Sequence, residues 1–547
     1  MSRPNFLFII TDQQRADHLG CYGNRTLRTP SIDAIARSGV AFDRHYVASA
    51  VCMPNRATLV TGRMPSLHGV RHNGIELPLE NVTMPELLLA AGYRTALVGK
   101  AHLQNVTNVP AIYGREPPPQ EHIAPPAALA EARAATGRST PPRYGQECSE
   151  LWLESAHRMP LPYYGFDSVD LSARHGDRTG ADYLVWAKQR DPNIEKLRGR
   201  DNALPAPGYK THEGWRTRVP EELYSTSFVA ERTIARLEEF AKKPEQPFFL
   251  WSSFPDPHHP WTPPGKYWDL YQPEDMLLDP AYWAPRKNLP RHLAWYYEQR
   301  DAGRMSDATA GVPAVYAADQ REVQEAMALT YGMLSMVDAA VGRITATLKR
   351  LGLDRNTVIV FTSDHGDYMG DHQLLLKSQM HYQGLIRTPF IWSDPALSGQ
   401  AGTHCNAITG AIDVTRTVLD RAAVAPANGM QGMPLTALAA AVAGANDNEG
   451  KAPVQREALL IEEEAHRFPG WLGLRARIRT VVTRRHRLSV YQGTGWGELY
   501  DLQEDPRELH NRWDEPAAAP LRAELTERLT HLMMDNDETS PAPTRFA

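Results

Sequence analysis

The sequence predicts an α/β protein, a large sheet rich in parallel strands and flanked by helices, with a smaller α+β unit at its C-terminal end. Three observations carry this. Unbroken apolar runs of about five residues recur and end abruptly in polar clusters, as strands buried on both faces do. Capped helical segments lie between those runs. Beyond about residue 455 the texture changes to shorter, alternating strands.

In chain order, the first run is Phe6-Leu7-Phe8-Ile9-Ile10, which ends in Thr11-Asp12. Thr29-Pro30 then opens a helix, with an N-cap and a proline at the first position, and Gly39 closes it. Residues 83–92 repeat that plan before Thr95-Ala96-Leu97-Val98, which ends in Gly99-Lys100-Ala101-His102. Pro247-Phe248-Phe249-Leu250-Trp251 runs on to Asp256-Pro257-His258. From Val323 the positions Met327, Leu334, Val337, Val341, Ile344, Leu348 and Leu351 keep helical spacing. That long helix feeds Thr357-Val358-Ile359-Val360-Phe361, which ends in Thr362-Ser363-Asp364-His365. Ligands of open α/β sheets bind beyond the carboxyl ends of the strands, and all four polar outcrops lie there.

Residues 106–220, rich in Pro, Gly and Arg, and 260–320, with Trp261, Trp268, Trp283, Trp295, Tyr296 and Tyr297, are expected to be irregular insertions over the strand ends. There they would set specificity, or the aromatics would simply anchor long loops. Arg479-Thr480-Val481-Val482 and Leu488-Ser489-Val490-Tyr491 read as strands of the C-terminal unit, and Leu521, Leu525 and Leu532 mark a final helix. The expected division is therefore 1–450 and 451–547.

Composition excludes several classes. The 547 residues carry 59 Lys+Arg against 64 Asp+Glu, a net charge of −5, so no nucleic-acid binder working by bulk charge is expected. With 42% hydrophobic residues the chain can bury a large core. No apolar run approaches the ~20 residues of a membrane span, and the apolar start is too short for a signal peptide, so the cytoplasm is the expected compartment. Four cysteines (Cys21, Cys52, Cys148, Cys405) show no C-x-x-C spacing, which argues against a zinc knuckle or a disulfide framework.

Asp12, Asp364 and His365 combine two carboxylates and an imidazole at strand ends, a donor set suited to a divalent cation. Alone, Asp364-His365 reads better as a structural ion pair. The segment Val51-Cys52-Met53-Pro54-Asn55-Arg56-Ala57-Thr58-Leu59-Val60-Thr61-Gly62 changes the balance. Pro54 near a helix start and Gly62 near its end put Cys52 at a helix N-terminus, where a thiol is acidified. A buried, inert cysteine is the competing reading.

With these residues in view, the sequence resembles the type I, formylglycine-dependent sulfatases and the phosphonate monoester hydrolases of the alkaline phosphatase superfamily. Residues 5–23 resemble the first strand and metal loop, and 52–62 the signature whose cysteine is oxidised to formylglycine. Gly99-Lys100-Ala101-His102, Pro257-His258-His259-Pro260, Ser363-Asp364-His365-Gly366 and the downstream Lys377 resemble the remaining active-site blocks. Glu498-Leu499-Tyr500-Asp501-Leu502, followed by Asp505-Pro506, is similar to a C-terminal motif of the family.

The resemblance implies an alkaline-phosphatase-like fold, with a large mixed, mostly parallel sheet. It implies a hydrolase of sulfate monoesters, aryl sulfates foremost, working through a formylglycine hydrate nucleophile and a covalent sulfo-enzyme intermediate. Asp12, Asp364 and His365 carry over as metal ligands, with Gln13 as a fourth and Cys52 as the modified residue on the metal. Arg56 and Lys100 would hold the hydrate and balance developing charge. His258 and Lys377 would serve the leaving group, and His102 would take the proton that restores the aldehyde. Asn73 would contact a substrate oxygen. The implied partners are a small sulfate or phosphonate ester and a formylglycine-generating enzyme. A second copy of the chain is a further candidate, packed on the C-terminal helix and tail, which otherwise fray.

Where many sulfatases have a second aspartate and an asparagine, this chain has Gln13 and His365, which moves the expected ion from Ca2+ toward Mn2+. Asn55 replaces the common serine of the signature. The alternative activity is that of a phosphonate monoester or phosphodiester hydrolase. Those relatives resemble this chain at Asp12, Asp364 and His365 but carry uncharged residues where Lys100 and His102 stand. A catalytically silent metal- and anion-binding protein is the remote alternative.

Overall fold

The computed structural model describes residues 3–109, 144–153, 157–303, 315–397, 402–444, 453–464 and 477–545. The proline cluster at 110–143 lies outside the described residues. In chain order the strands are β1 (Asn5–Thr11), β2 (Val40–Tyr46), β3 (Arg94–Gly99), β4 (Ser168–Leu171), β5 (Phe248–Ser253), β6 (Tyr316–Ala317), β7 (Thr357–Ser363), β8 (Leu374–Leu375), β9 (Phe390–Ser393) and β10 (Thr403–Gly410). All but the short β6–β8 ladder join an eight-stranded sheet of order β10-β2-β9-β7-β1-β5-β3-β4. Only β9 runs antiparallel to its neighbours in it.

The central strands are apolar throughout because both faces are covered. Phe6, Phe8 and Ile10 face one side, with Met53, Val60, Leu88 and Val414 from the Cys52–Thr61, Met84–Ala90 and Ala411–Arg421 helices. Leu7 and Ile9 face the other, with Ile32, Phe228, Val337, Val341 and Ile344 from the Pro30–Arg37, Ser225–Phe240 and Gln320–Arg350 helices. Phe8 stacks on Trp251 across the β1–β5 pair with ring centroids 4.3 Å apart. The Gln320–Arg350 helix is the long helix expected from residue 323 onward. It starts at a capping box in which Asp319 accepts from the Glu322 amide at 2.9 Å.

Register brings the strand ends together. Thr11 pairs with Ser363, Ile10 with Ser253, Gly99 with Ser253, and Gly99 with Leu171. Consequently Asp12, Asp364, Lys100 and the segments after Leu171 and Ser253 leave the sheet along one edge. Gly99 is required there: its φ is +98°, and a Cβ would lie 1.8 Å from the Ser253 carbonyl oxygen.

The C-terminal part forms an antiparallel sheet of β11 (Ala458–Glu464), β12 (Arg477–Thr483), β13 (His486–Tyr491) and β14 (Gly497–Asp501), covered by the Ala519–Asp535 helix. The strands expected at 479–482 and 488–491 are the β12–β13 hairpin. No helix among the described residues is long and apolar enough to cross a membrane.

The two stretches expected to be irregular are only partly so. Within 106–220, β4 is the edge strand of the main sheet, and Asp182–Arg190 is a helix. Within 260–320, Trp295, Tyr296 and Tyr297 lie on the Arg291–Asp301 helix. Trp261 and Trp268 are buried against Leu329 and Met333 of the long helix, so they anchor the fold and do not line an open pocket. Trp283 is 60% exposed.

Candidate active site

Cys52 is the first residue of the Cys52–Thr61 helix, and all ten residues of that helix are buried. No side chain caps it at Val51. The Met53 amide donates to Asn73 Oδ1 at 3.0 Å, which places Asn73 at the helix start. The helix ends at Gly62, φ +62°, as expected from the sequence.

Four donors meet at Cys52. Its Sγ, a carboxylate oxygen of Asp12, one of Asp364 and a ring nitrogen of His365 all lie within 4.8 Å of one another. His365 Nδ1 donates to the Gly366 carbonyl at 2.8 Å, which fixes the ring with Nε2 3.0 Å from Cys52 Sγ. Gln13 enters through its backbone, whose N–H donates to Asp364 Oδ1 at 3.1 Å, in a left-handed conformation with φ 62°. Its side-chain amide nitrogen meets Asp367 Oδ2 and, at 3.2 Å, His259 Nδ1, while Oε1 is buried without a hydrogen-bond partner.

Cations surround the cluster. Arg56 is fully buried; its Nε donates to Asp364 Oδ2 at 2.7 Å, and its Nη1 to the Lys100 carbonyl at 3.1 Å and to Ser253 Oγ at 3.0 Å. It therefore clamps the Asp364 carboxylate to the sheet edge. Lys100 Nζ forms an ion pair with Asp12 Oδ2 and lies 2.6 Å from His175 Nε2. Lys377 Nζ lies 2.8 Å from Cys52 Sγ, 2.8 Å from His365 Nε2 and 3.0 Å from His258 Nε2.

These fields set the ionisation of the site. Burial would raise Asp12, but Lys100, His258, His175 and Arg56 hold it well below the usual carboxylate range. Burial and Asp12 oppose ionisation of the Cys52 thiol, yet Lys377, Lys100 and His365 outweigh them and lower its pKa. Burial, then Lys100 and His175, push His102 well below the ordinary imidazole value. Burial, then His175 and Lys377, do the same to His258. Both imidazoles are thus held neutral.

Every residue expected from the sequence lies at this sheet edge or next to the Cys52 helix. Sequence reasoning missed two supports. His175 follows β4, whose short run is broken by Asp170 and so carries no strand signal. Glu147 sits in the Pro-, Gly- and Arg-rich stretch with no motif around it. Its carboxylate accepts from the amides of His102, Leu103 and Gln104 at 2.6–2.8 Å, and from the Tyr163 hydroxyl at 2.7 Å.

Comparison with known proteins shows what the chain as a whole is similar to. A family model described as Sulfatase matches residues 4–128 and 170–424, and one described as N-sulphoglucosamine sulphohydrolase, C-terminal, matches 370–535. An arylsulfatase of Clostridium perfringens is 26% identical over 93% of this chain and 90% of its own length. A multifunctional alkaline phosphatase superfamily protein of Trinickia caryophylli is 27% identical over 77% of this chain and 74% of its own. The crystal structure of a phosphonate monoester hydrolase of Agrobacterium radiobacter superposes with a TM-score of 0.74 at 25% identity, covering 100% of this chain and 98% of that one.

Proposed function

This chain belongs to the sulfatase family, and on that premise we propose that it hydrolyses sulfate monoesters, aryl sulfates foremost, with Cys52 acting as formylglycine after conversion by a formylglycine-generating enzyme. The observation that carries the reading is the placement of Cys52 Sγ at a helix N-terminus, within 4.8 Å of donors from Asp12, Asp364 and His365.

The residues fit a divalent ion. Two carboxylates, an imidazole fixed by the Gly366 carbonyl, and the orphaned Gln13 Oε1 make a mixed oxygen and nitrogen donor set. Such a set suits Mn2+, with Ca2+ as the alternative. When bound, the ion would supply Lewis acidity toward the ester and acidify the hydroxyl of the formylglycine hydrate.

The remaining work falls to this chain's side chains. Lys100 and Arg56 balance the charge that develops on the ester oxygens, Arg56 partly by holding Asp364 in place. His258 and Lys377, 3.0 Å apart, serve the departing alkoxide, one donating the proton and the other holding charge. His102 is neutral and buried, with Nδ1 lacking a partner, and takes the proton that regenerates the aldehyde. Asn73, whose Oδ1 is engaged by the helix, keeps its amide N–H groups for a substrate oxygen.

Phosphonate monoester or phosphodiester hydrolysis is the second reading. Gln13 and His365 at the ion site favour it, and so does the likeness to the phosphonate monoester hydrolase. Lys100 and His102 favour the sulfate monoester. Rates on an aryl sulfate, a phosphonate monoester and a phosphodiester, measured side by side, test the choice. The sulfate ester is expected to give the highest kcat/KM, and a phosphonate preference of tenfold or more would reverse the assignment.

A further inference from the structure

We propose that His175 is a positioning residue of this site, holding the Lys100 ammonium against Asp12 through its Nε2 acceptor. The assignment rests on the sulfatase reading above and adds to it a residue from outside the motif blocks.

Lys100 is fully buried, and its ammonium has two directional partners, the Asp12 carboxylate and His175 Nε2 at 2.6 Å. An ammonium is a compact charge on a flexible stem. With Asp12 alone it can swing about the carboxylate; a second acceptor fixes the direction of its remaining N–H. His175 Nε2 also lies 3.5 Å from Asp12 Oδ2, so the three groups form a closed triangle.

His175 is itself held rigidly. Its ring stacks on His258 with centroids 3.5 Å apart and planes 10° apart, and His258 stacks on His259 at 4.1 Å. The following backbone is clamped to the loop that carries those histidines. The Asp177 amide donates to Thr262 Oγ1 at 3.0 Å, and a Cβ on Gly176 would lie 2.6 Å from the Pro260 carbonyl oxygen. The Asp177 carboxylate in turn accepts from Trp215 Nε1, Thr217 Oγ1 and the Gly199 amide at 2.9 Å each. Segments far apart in sequence thus converge to fix one imidazole beside one ammonium.

The test uses full-length enzyme with its aldehyde content verified by mass and its metal content by elemental analysis. The variants His175→Gln, His175→Asn and His175→Phe are made alone and combined with Lys100→Met. A Gln Oε1 reaches the position of Nε2, whereas an Asn Oδ1 stops short of it. His175→Asn and His175→Phe are expected to lose about 10- to 100-fold in kcat on an aryl sulfate with little change in KM. His175→Gln should recover most of that loss. In the Lys100→Met background, His175→Asn should cost no more than about a further twofold, because its partner is already gone. Equal losses for Gln and Asn, or full additivity with Lys100→Met, would overturn the assignment; Gln and Asn decide it even where Phe fails to fold. A fully converted wild type that cleaves none of the sulfate, phosphonate or phosphodiester esters would instead refute the functional reading, and this assignment with it.

Discussion

Replacing Glu147 by Gln should loosen the loop that carries His102, and the loss can be sized from the contacts. Glu147 is fully buried; its Oε1 accepts from the Leu103 and Gln104 amides and the Tyr163 hydroxyl, and its Oε2 from the His102 amide. His102 sits at φ 57°, a left-handed conformation that costs a non-glycine residue about 1–2 kcal/mol. The carboxylate offsets that cost. Gln keeps Oε1 and its three donors but turns an NH2 toward the His102 amide, so one charge-assisted bond is lost and two donors face each other. At about 1.5–3 kcal/mol for such a bond, local opening should become easier by about 2–3 kcal/mol. Hydrogen exchange of the peptide spanning 102–104 reads this directly. It should quicken by about 30- to 150-fold in Glu147→Gln while the β1 and β7 peptides stay unchanged. Activity should fall with it, because His102 loses its fixed direction. Exchange within about twofold of wild type would refute the idea that this carboxylate holds the loop.

Other outcomes follow from the same geometry. His102→Ala should let the first chemical step proceed but not the second, so mass spectrometry of the Cys52 peptide after incubation with an aryl sulfate should find a retained adduct; steady turnover without one would contradict it. Asp364→Asn removes the charge that Arg56 clamps at 2.7 Å and would weaken one of the proposed ligands. It should lower bound divalent metal by about tenfold or more in affinity, read by elemental analysis after dialysis, and unchanged content would remove it from the ligand set. His68 gives a stability prediction. Burial holds its pKa down to about 3 against 6.5 for a free imidazole, with Nδ1 accepting from the Val70 amide and Nε2 meeting Thr58. The unfolded chain therefore binds the proton first. The contribution is complete above about pH 6.5 and is lost as pH falls to about 3 and below, by at most about 5 kcal/mol. The acid limb of thermal stability should be shallower in His68→Gln, and an identical limb would rule out His68 as a source.

Much of the site was legible because a buried parallel strand leaves a plain mark in sequence: five apolar residues, then polar ones at the carboxyl end. Asp12, Lys100, His258 and Asp364 all follow such runs, and the register of β1, β3, β5 and β7 aligns those ends. The helix signals worked for a similar reason, since Thr29-Pro30 and Gly62 act through local geometry. The supports were illegible because their role is long-range. Glu147 reaches His102 across 45 residues of sequence, and His175 follows a four-residue strand that an aspartate interrupts. The aromatics of 260–320 left two readings open because loop anchors and pocket walls have the same composition; only packing shows that Trp261 and Trp268 are buried in one cluster with residues of the long helix.

The most direct test of the account is the state of residue 52 set against turnover. Preparations made with and without a formylglycine-generating system should differ in the fraction of the Cys52 peptide found at the lighter aldehyde mass. Arylsulfatase kcat per mole of protein is predicted to rise in proportion to that fraction and to extrapolate to zero at none. Full turnover from a preparation that is entirely thiol would contradict it.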